Sequence, residues 1–179
     1  MEIIGTSIKG IYRDILREQN NNIIHDSGWV SNTIVDRCRI LLAGFMKNDQ
    51  PKGIQYLAVG KGIKDWDTTG APPADSSVTQ LMDPNPFQIQ VADLDLVYLD
   101  KNDAEVAGPT HRLQITATLG TNEPPAVAPL SSYPLREFGL FGQYFDGTNY
   151  YEYMIDCIRH PVIHKDVSAT LIRVVRLYF

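Results

Sequence analysis

The sequence predicts a mainly β, α+β protein: a small β-sandwich or partly open barrel with one principal α-helix and long loops. Three observations point there. Apolar and polar residues alternate with period two in runs along most of the chain after residue 50. Breaks rich in Gly, Pro, Asn and Asp separate those runs. Only one stretch, residues 32–46, sustains a helical period.

Taken in chain order, Ile8–Leu16 fits either a short amphipathic helix, with Ile8, Tyr12, Ile15 and Leu16 on one face, or a strand with Ile11, Arg13, Ile15 and Arg17 set against Tyr12 and Asp14. The tract Gln19-Asn20-Asn21-Asn22 favours a turn, because asparagine tolerates left-handed backbone. A hairpin is therefore the preferred reading, one arm ending near Arg17 and the other running Ile23-Ile24-His25. The principal helix is expected over Asn32–Met46. Ser31, Asn32 and Thr33 all suit its cap, and Thr33 with Asp36 is a variant of the capping box. Its apolar stripe is Ile34, Cys38, Leu41 and Phe45, widened by Val35, Leu42 and Met46. Asn48-Asp49-Gln50-Pro51 stops it.

Ile54–Val59 reads as a strand ending in Gly60-Lys61-Gly62. Residues 63–86 carry four prolines and Gly70, so they form a long excursion, with room for one helical turn at Ser77–Met82. Phe87–Leu99 is the longest strand candidate. Its alternation changes phase between Val91 and Leu94, as a bulge near Asp93 would cause. Asp100-Lys101-Asn102-Asp103 is a turn, and His111–Leu119 the returning strand. Gly120–Pro134 reads as an exposed loop and Leu135–Phe141 as a strand. Asp146-Gly147 is a hairpin turn, from which Tyr150–Ile158 pairs back until Pro161 bounds it. Ala169–Phe179 is a final strand carrying Arg173 and Arg176. Residues 1–27 form an N-terminal arm or hairpin and residues 28–179 a single domain.

Composition narrows the function. A chain of 179 residues, 44% hydrophobic and 21% charged with net charge −5, suits one core-forming domain and lacks the basic footprint of a nucleic-acid binder. Two cysteines, Cys38 and Cys157, cannot build a disulfide framework. No apolar run approaches the ~20 residues of a membrane span. Met1-Glu2-Ile3-Ile4-Gly5 lacks the basic start of a secretory signal.

The chemistry-bearing residues mostly read as bland. His160 and His164 are spaced for a metal only on a helix, and Pro161 lies between them. His25-Asp26-Ser27 are neighbours in sequence, which is not what a triad requires, and there is no G-x-S-x-G elbow. Gly60-Lys61-Gly62 lacks the rest of a phosphate loop. Asp93, Asp95, Asp100 and Asp103 lack the calcium-loop pattern. Tyr144, Phe145, Tyr150, Tyr151 and Tyr153 suit sugar or protein binding and equally suit cross-strand aromatic pairing. No catalytic residue, metal site or cofactor is predicted, so the chain is not expected to be an enzyme.

The order of features also carries a resemblance. A helix is followed by Val59-Gly60-Lys61-Gly62, a Pro-rich excursion and a long hairpin. Then comes Leu135-Arg136-Glu137-Phe138-Gly139-Leu140-Phe141-Gly142, with a turn at Asp146-Gly147. This resembles the N-terminal domains of phage tail-collar fibre proteins and related baseplate-associated proteins of contractile tails and contractile injection systems. Those proteins show an "avGdG"-like segment after the helix and an "lrEiGLFd…dG" segment on a hairpin. Gly28–Asp36 and Arg159–Lys165 are similar to recurring segments of the same proteins.

The resemblance implies a virion structural protein: a baseplate or tail-fibre adaptor, or tail-end assembly protein, that binds copies of itself as a trimer or ring and neighbouring tail proteins. It would be assembled in the bacterial cytoplasm and carried in the particle, with no nucleic-acid or membrane partner. No repetitive shaft or head follows Phe179, which favours the adaptor over a host-recognising fibre. The alternative is a receptor- or carbohydrate-binding module of a short tail fibre, using the tyrosine-rich hairpin. Loop and hairpin residues Trp66, Leu81, Met82, Tyr133, Tyr144, Tyr150 and Tyr151 are the expected contacts. Glu137, between apolar neighbours on a buried strand, needs a partner. Arg136, Arg159, Arg173 and Arg176 are the candidates for an ion pair that sets strand register. Gly139 and Gly142 are expected to allow close backbone approach or a bulge.

Overall fold

Residues 7–179 are described by a computed structural model, and their alternating runs become thirteen strands with two helices. The chain begins with β1 (Lys9–Arg17), β2 (Ile23–Asp26), β3 (Val30–Ser31) and β4 (Thr33–Ile34), followed by α1 (Asp36–Lys47). Next come β5 (Lys52–Gly60), α2 (Trp66–Thr69), β6 (Phe87–Gln90), β7 (Leu94–Leu99), β8 (Glu105–Val106) and β9 (Arg112–Leu119). The last are β10 (Ser132–Phe145), β11 (Tyr150–Met154), β12 (Asp156–Asp166) and β13 (Thr170–Tyr178).

These strands form two antiparallel sheets. The first runs β2-β1-β13-β9-β7-β8, with β3 also on β1; the second runs β4-β12-β10-β5-β6, with β11 also on β10. Their inner faces meet in one core: Tyr12, Leu16, Ile115, Leu119, Leu171 and Val175 from the first sheet against Leu57, Val59, Leu135, Phe138, Leu140 and Ile158 from the second. The fold is thus a β-rich α+β sandwich. The N-terminal hairpin is an integral part of it, since β1 lies inside the first sheet and pairs with β13 over nine residues. Residues 1–6 of the expected arm fall outside the described part.

A second, smaller core lies on the outer face of the second sheet. Tyr56, Ala58, Phe141, Met154 and Cys157 meet Leu81 there, with Ala74 and Val78 packed against them. The excursion after β5 therefore folds back as a strap over this sheet. β10 is covered on both faces, which is why Tyr133 to Gly142 are all buried.

Several elements differ from the sequence reading. The helix starts at Asp36, four residues later than expected, and Val35 occupies its N-cap with no side-chain hydrogen bond. Two of the residues expected as caps are used in strands, Ser31 in Val30–Ser31, which pairs with β1, and Thr33 in Thr33–Ile34, which pairs with β12; Asn32 between them donates its N–H to the Gly10 carbonyl of β1. Cys38 and Leu41 face the core, but Phe45 and Met46 at the end of the stripe are exposed. The C-terminus is closed by Asn48 in the left-handed conformation, φ 63°.

The phase change in Phe87–Leu99 is a change of sheet. A 3-10 turn at Val91–Asp93 separates β6, which pairs with β5 in the second sheet, from β7, which pairs with β9 in the first. The helical turn of the excursion lies at Trp66–Thr69 instead of Ser77–Met82. Pro161 does not end its strand. β4 covers β12 only at Asp156–Cys157, so Pro161 lies where β12 has no ladder partner on that side and its missing N–H is tolerated. Tyr133 and Pro134, expected in a loop, open β10 and are buried.

Candidate assembly face

The Leu135–Gly142 segment joins strap to sheet. Its register against β12 shifts between Leu135 and Glu137. Leu135, Phe138 and Leu140 then point into the main core, while Phe141 packs in the smaller one. Arg136 forks onto Asp67 at 2.7 and 2.6 Å through Nε and Nη2, and its Nη1 donates to the Lys61 carbonyl at 2.8 Å. Glu137 accepts from the Asp83 and Met82 backbone N–H groups at 2.7 and 3.0 Å. Two consecutive residues thus hold the strap at both ends, Arg136 at its start and Glu137 at its finish. Asp83 closes the loop on itself, accepting from the Lys61 N–H at 2.9 Å and from the Tyr133 hydroxyl at 3.3 Å.

The expected arginine partner for Glu137 is corrected. Arg136 is committed to Asp67, Arg173 to Asp14 and Arg176 to Asp103. Arg159 lies over the Trp66 ring, 5.3 Å from its centroid. The two backbone amides supply the hydrogen bonds that a buried carboxylate requires, while Arg159, opposite Glu137 in the β10–β12 register, acts on it through its charge alone. Burial still pushes the Glu137 carboxyl above its ordinary range, against the pull of those amides. Arg136 holds the Asp67 carboxyl below its ordinary range. The glycines of the segment do allow close approach. A Cβ on Gly139 would lie 2.7 Å from the Asp156 carbonyl oxygen, and one on Gly142 2.7 Å from that of Gly53.

Of the expected contact residues, Leu81 and Tyr133 are buried in the two cores and unavailable to a partner. Leu81 pins the strap and Tyr133 reaches Asp83, uses that the loop-like sequence around each residue concealed. Trp66 is half-buried under Arg159, and Met82 is exposed. On the β10–β11 hairpin, Tyr144 stacks on Tyr153 at 5.2 Å, and Phe145 packs on its cross-strand partner Tyr150 at 4.7 Å. Arg37 covers Tyr153, and the Lys52 ammonium lies 4.0 Å from the Tyr150 ring centroid. Tyr150 and Tyr151 keep exposed surface. Between strap and sheet lies a cleft of about 410 Å³, lined among others by Tyr56, Gln80, Met82, Gln88 and Glu152.

A buried polar centre in the main core went unread in the sequence. Asp14 and Arg173 form a two-bond ion pair, and Arg173 also donates to His160 Nε2 at 3.1 Å while its guanidinium lies 3.7 Å from the Phe138 ring centroid. His160 Nδ1 is 2.7 Å from the Pro161 carbonyl oxygen, so it carries the proton and Nε2 accepts. Burial and the Arg173 charge push the His160 pKa down to about 4. Asp156, also buried, accepts from the Leu140 N–H and the Asn32 side-chain amide, each at 2.7 Å, and burial raises it to about 7. One signal was present: Asp14 shares the period-two face of Tyr12 and Leu16, and Arg173 that of Leu171, Val175 and Leu177.

The other candidates separate. His160 is buried and His164 exposed. Ser27 Oγ accepts from the Asp14 N–H and donates to the Gly28 carbonyl, while Asp26 is held by Arg13. Among the described residues, no group of three or more His, Cys, Asp and Glu is placed to hold a metal ion, and no helix is long and apolar enough to cross a membrane. Cys38 and Cys157 are free and buried. Compared with protein-family models, curated proteins and solved structures, the chain matches none.

Proposed function

We propose that this protein is a structural component of a phage tail or contractile injection system, an adaptor at the baseplate or tail end that joins copies of itself to neighbouring tail proteins. The observation that carries the reading is the use of Arg136 and Glu137. Both charged side chains of the family-like segment are consumed in fastening the strap. Such a segment builds and presents a surface, which suits assembly better than chemistry. Trp66, Met82, Tyr150 and Tyr151 are the proposed contacts on that surface. The carbohydrate-binding alternative loses ground because most hairpin rings are engaged with one another or with Lys52 and Arg37.

The test is purification of tail-like particles from the source cells, with mass spectrometry and cryo-EM, alongside light scattering of the isolated protein. The protein is expected in the particle at the baseplate or tail end, and as a trimer or ring in solution. A strictly monomeric protein missing from every particle overturns the reading, and specific glycan-array binding would replace it with the alternative.

A further inference from the structure

We infer that the cavity between β1 and β12 binds a small, uncharged, mainly apolar molecule that carries one hydroxyl group. The cavity has a volume of about 300 Å³ and lies at the side of the sandwich where β12 is bulged. There Leu135 pairs with Ile163 and Glu137 with Arg159, so His160, Pro161 and Val162 stand opposite Arg136 alone. A bulge bends its strand and re-aims its side chains. Val30 of β3 and Pro161, Val162 and Ile163 of β12 form the apolar walls. Tyr12, Asp14 and His160 form the floor, none of them more than 5% exposed. Apolar walls around a few buried polar groups are the usual make-up of a small-molecule site.

The polar groups of the cavity select the ligand. Arg173 neutralises Asp14 and occupies both of its carboxylate oxygens. His160 uses both ring nitrogens, one on the Pro161 carbonyl and one on Arg173. Ser27 spends its hydroxyl on the Asp14 N–H and the Gly28 carbonyl, and His25 is half-buried at the mouth. The Tyr12 hydroxyl is left over. Its ring is fixed edge-on against Phe138, 5.1 Å between centroids, and among the described residues the hydroxyl makes no hydrogen bond. A charged ligand would lose its water against apolar walls and meet no unpaired charge on the floor. A hydroxyl needs only Tyr12, which can donate to it or accept from it. At the ~30 Å³ that one water-sized group occupies in a liquid, the cavity takes ~10 non-hydrogen atoms.

The test is a methyl-NMR titration of the full chain with probes that share one carbon skeleton: cyclohexylmethanol, methylcyclohexane, cyclohexanecarboxylate and cyclohexylmethylammonium. Cyclohexylmethanol is expected to give saturable shifts at the Val30, Val162 and Ile163 methyls, with an affinity at least ~10-fold above that of either ion. Tyr12→Phe keeps the ring and is expected to lower the affinity for the alcohol ~2–10-fold, to that of methylcyclohexane. The absence of saturable shifts at those methyls with the alcohol overturns the inference. So does an ion that binds as tightly as the alcohol, or an affinity for the alcohol that Tyr12→Phe leaves unchanged.

Discussion

Asp14 and Arg173 stand directly opposite each other on β1 and β13, and the guanidinium grips both carboxylate oxygens at 2.7 Å with neither side chain more than 1% exposed. The buried ion pair that the sequence suggested for Glu137 thus exists elsewhere, between the N-terminal hairpin and the last strand. A one-residue slip of β1 would swing Asp14 out of the core and leave Arg173 alone there, so the pair penalises wrong registers.

Asp14→Asn leaves a buried guanidinium with half its partner, and a loss of ~3–5 kcal/mol is expected in urea denaturation. Replacing both residues with apolar ones, Asp14→Leu with Arg173→Met, removes the uncompensated charge and should recover more than half of that loss. Equal or additive losses in the double variant would show that the pair is not what destabilises the single one.

Asp156 and His160 give stability opposite dependences on pH. The Asp156 pKa is raised in the fold to about 7, so its stabilising effect is complete below the ordinary carboxylate range and is lost as pH rises through 7. The His160 pKa is lowered to about 4, so its effect is complete above 6.5 and is lost as pH falls towards 4. Between about pH 4 and 6.5 the two contributions oppose each other. Relative to wild type, Asp156→Asn should lose stability on acidification at up to ~1.4 kcal/mol per pH unit, and His160→Gln should gain it. An asparagine at position 156 can still accept from the Leu140 N–H, and Asn32 Oδ1, buried without a partner, can turn to accept its amide. Urea midpoints from pH 4.5 to 7.5 measure both slopes; parallel curves for the variants and wild type would refute the assignment.

Glu137→Gln turns one strap acceptor into a donor that faces the Met82 or Asp83 N–H. A loss of ~1–3 kcal/mol is expected, together with faster hydrogen exchange at those two amides and cleavage within residues 70–86 under mild proteolysis. Unchanged exchange at both amides would mean that the strap is held by other contacts.

The strands and their turns were largely legible, because alternation and turn residues act locally. The hairpin at Gln19–Asn22, the turn at Asp100–Asp103 and the long β10–β11 hairpin at Asp146-Gly147 all lie where local chemistry placed them. The helix start is hidden from the sequence because Asn32 and Thr33 have cap chemistry, but β12 and β1 compete for the same backbone and win. Pro161 has the local signature of a strand end, because nothing local reveals that one side of β12 lacks a ladder partner there. Tyr133 and Leu81 looked like loop surface because the partner that buries each is distant in sequence.

The sequence by itself determined the β-rich class, the principal helix and the hairpins, since each rests on periodicity or turn preference within a few residues. Only the tertiary structure decided where the chain changes sheet at Val91–Asp93, which acceptor takes the Met82 and Asp83 amides, and which aspartate meets Arg173. Those outcomes join residues as far apart as positions 14 and 173. A buried charge takes whichever partner the fold brings within hydrogen-bond distance, and that distance is set by sheet order and register.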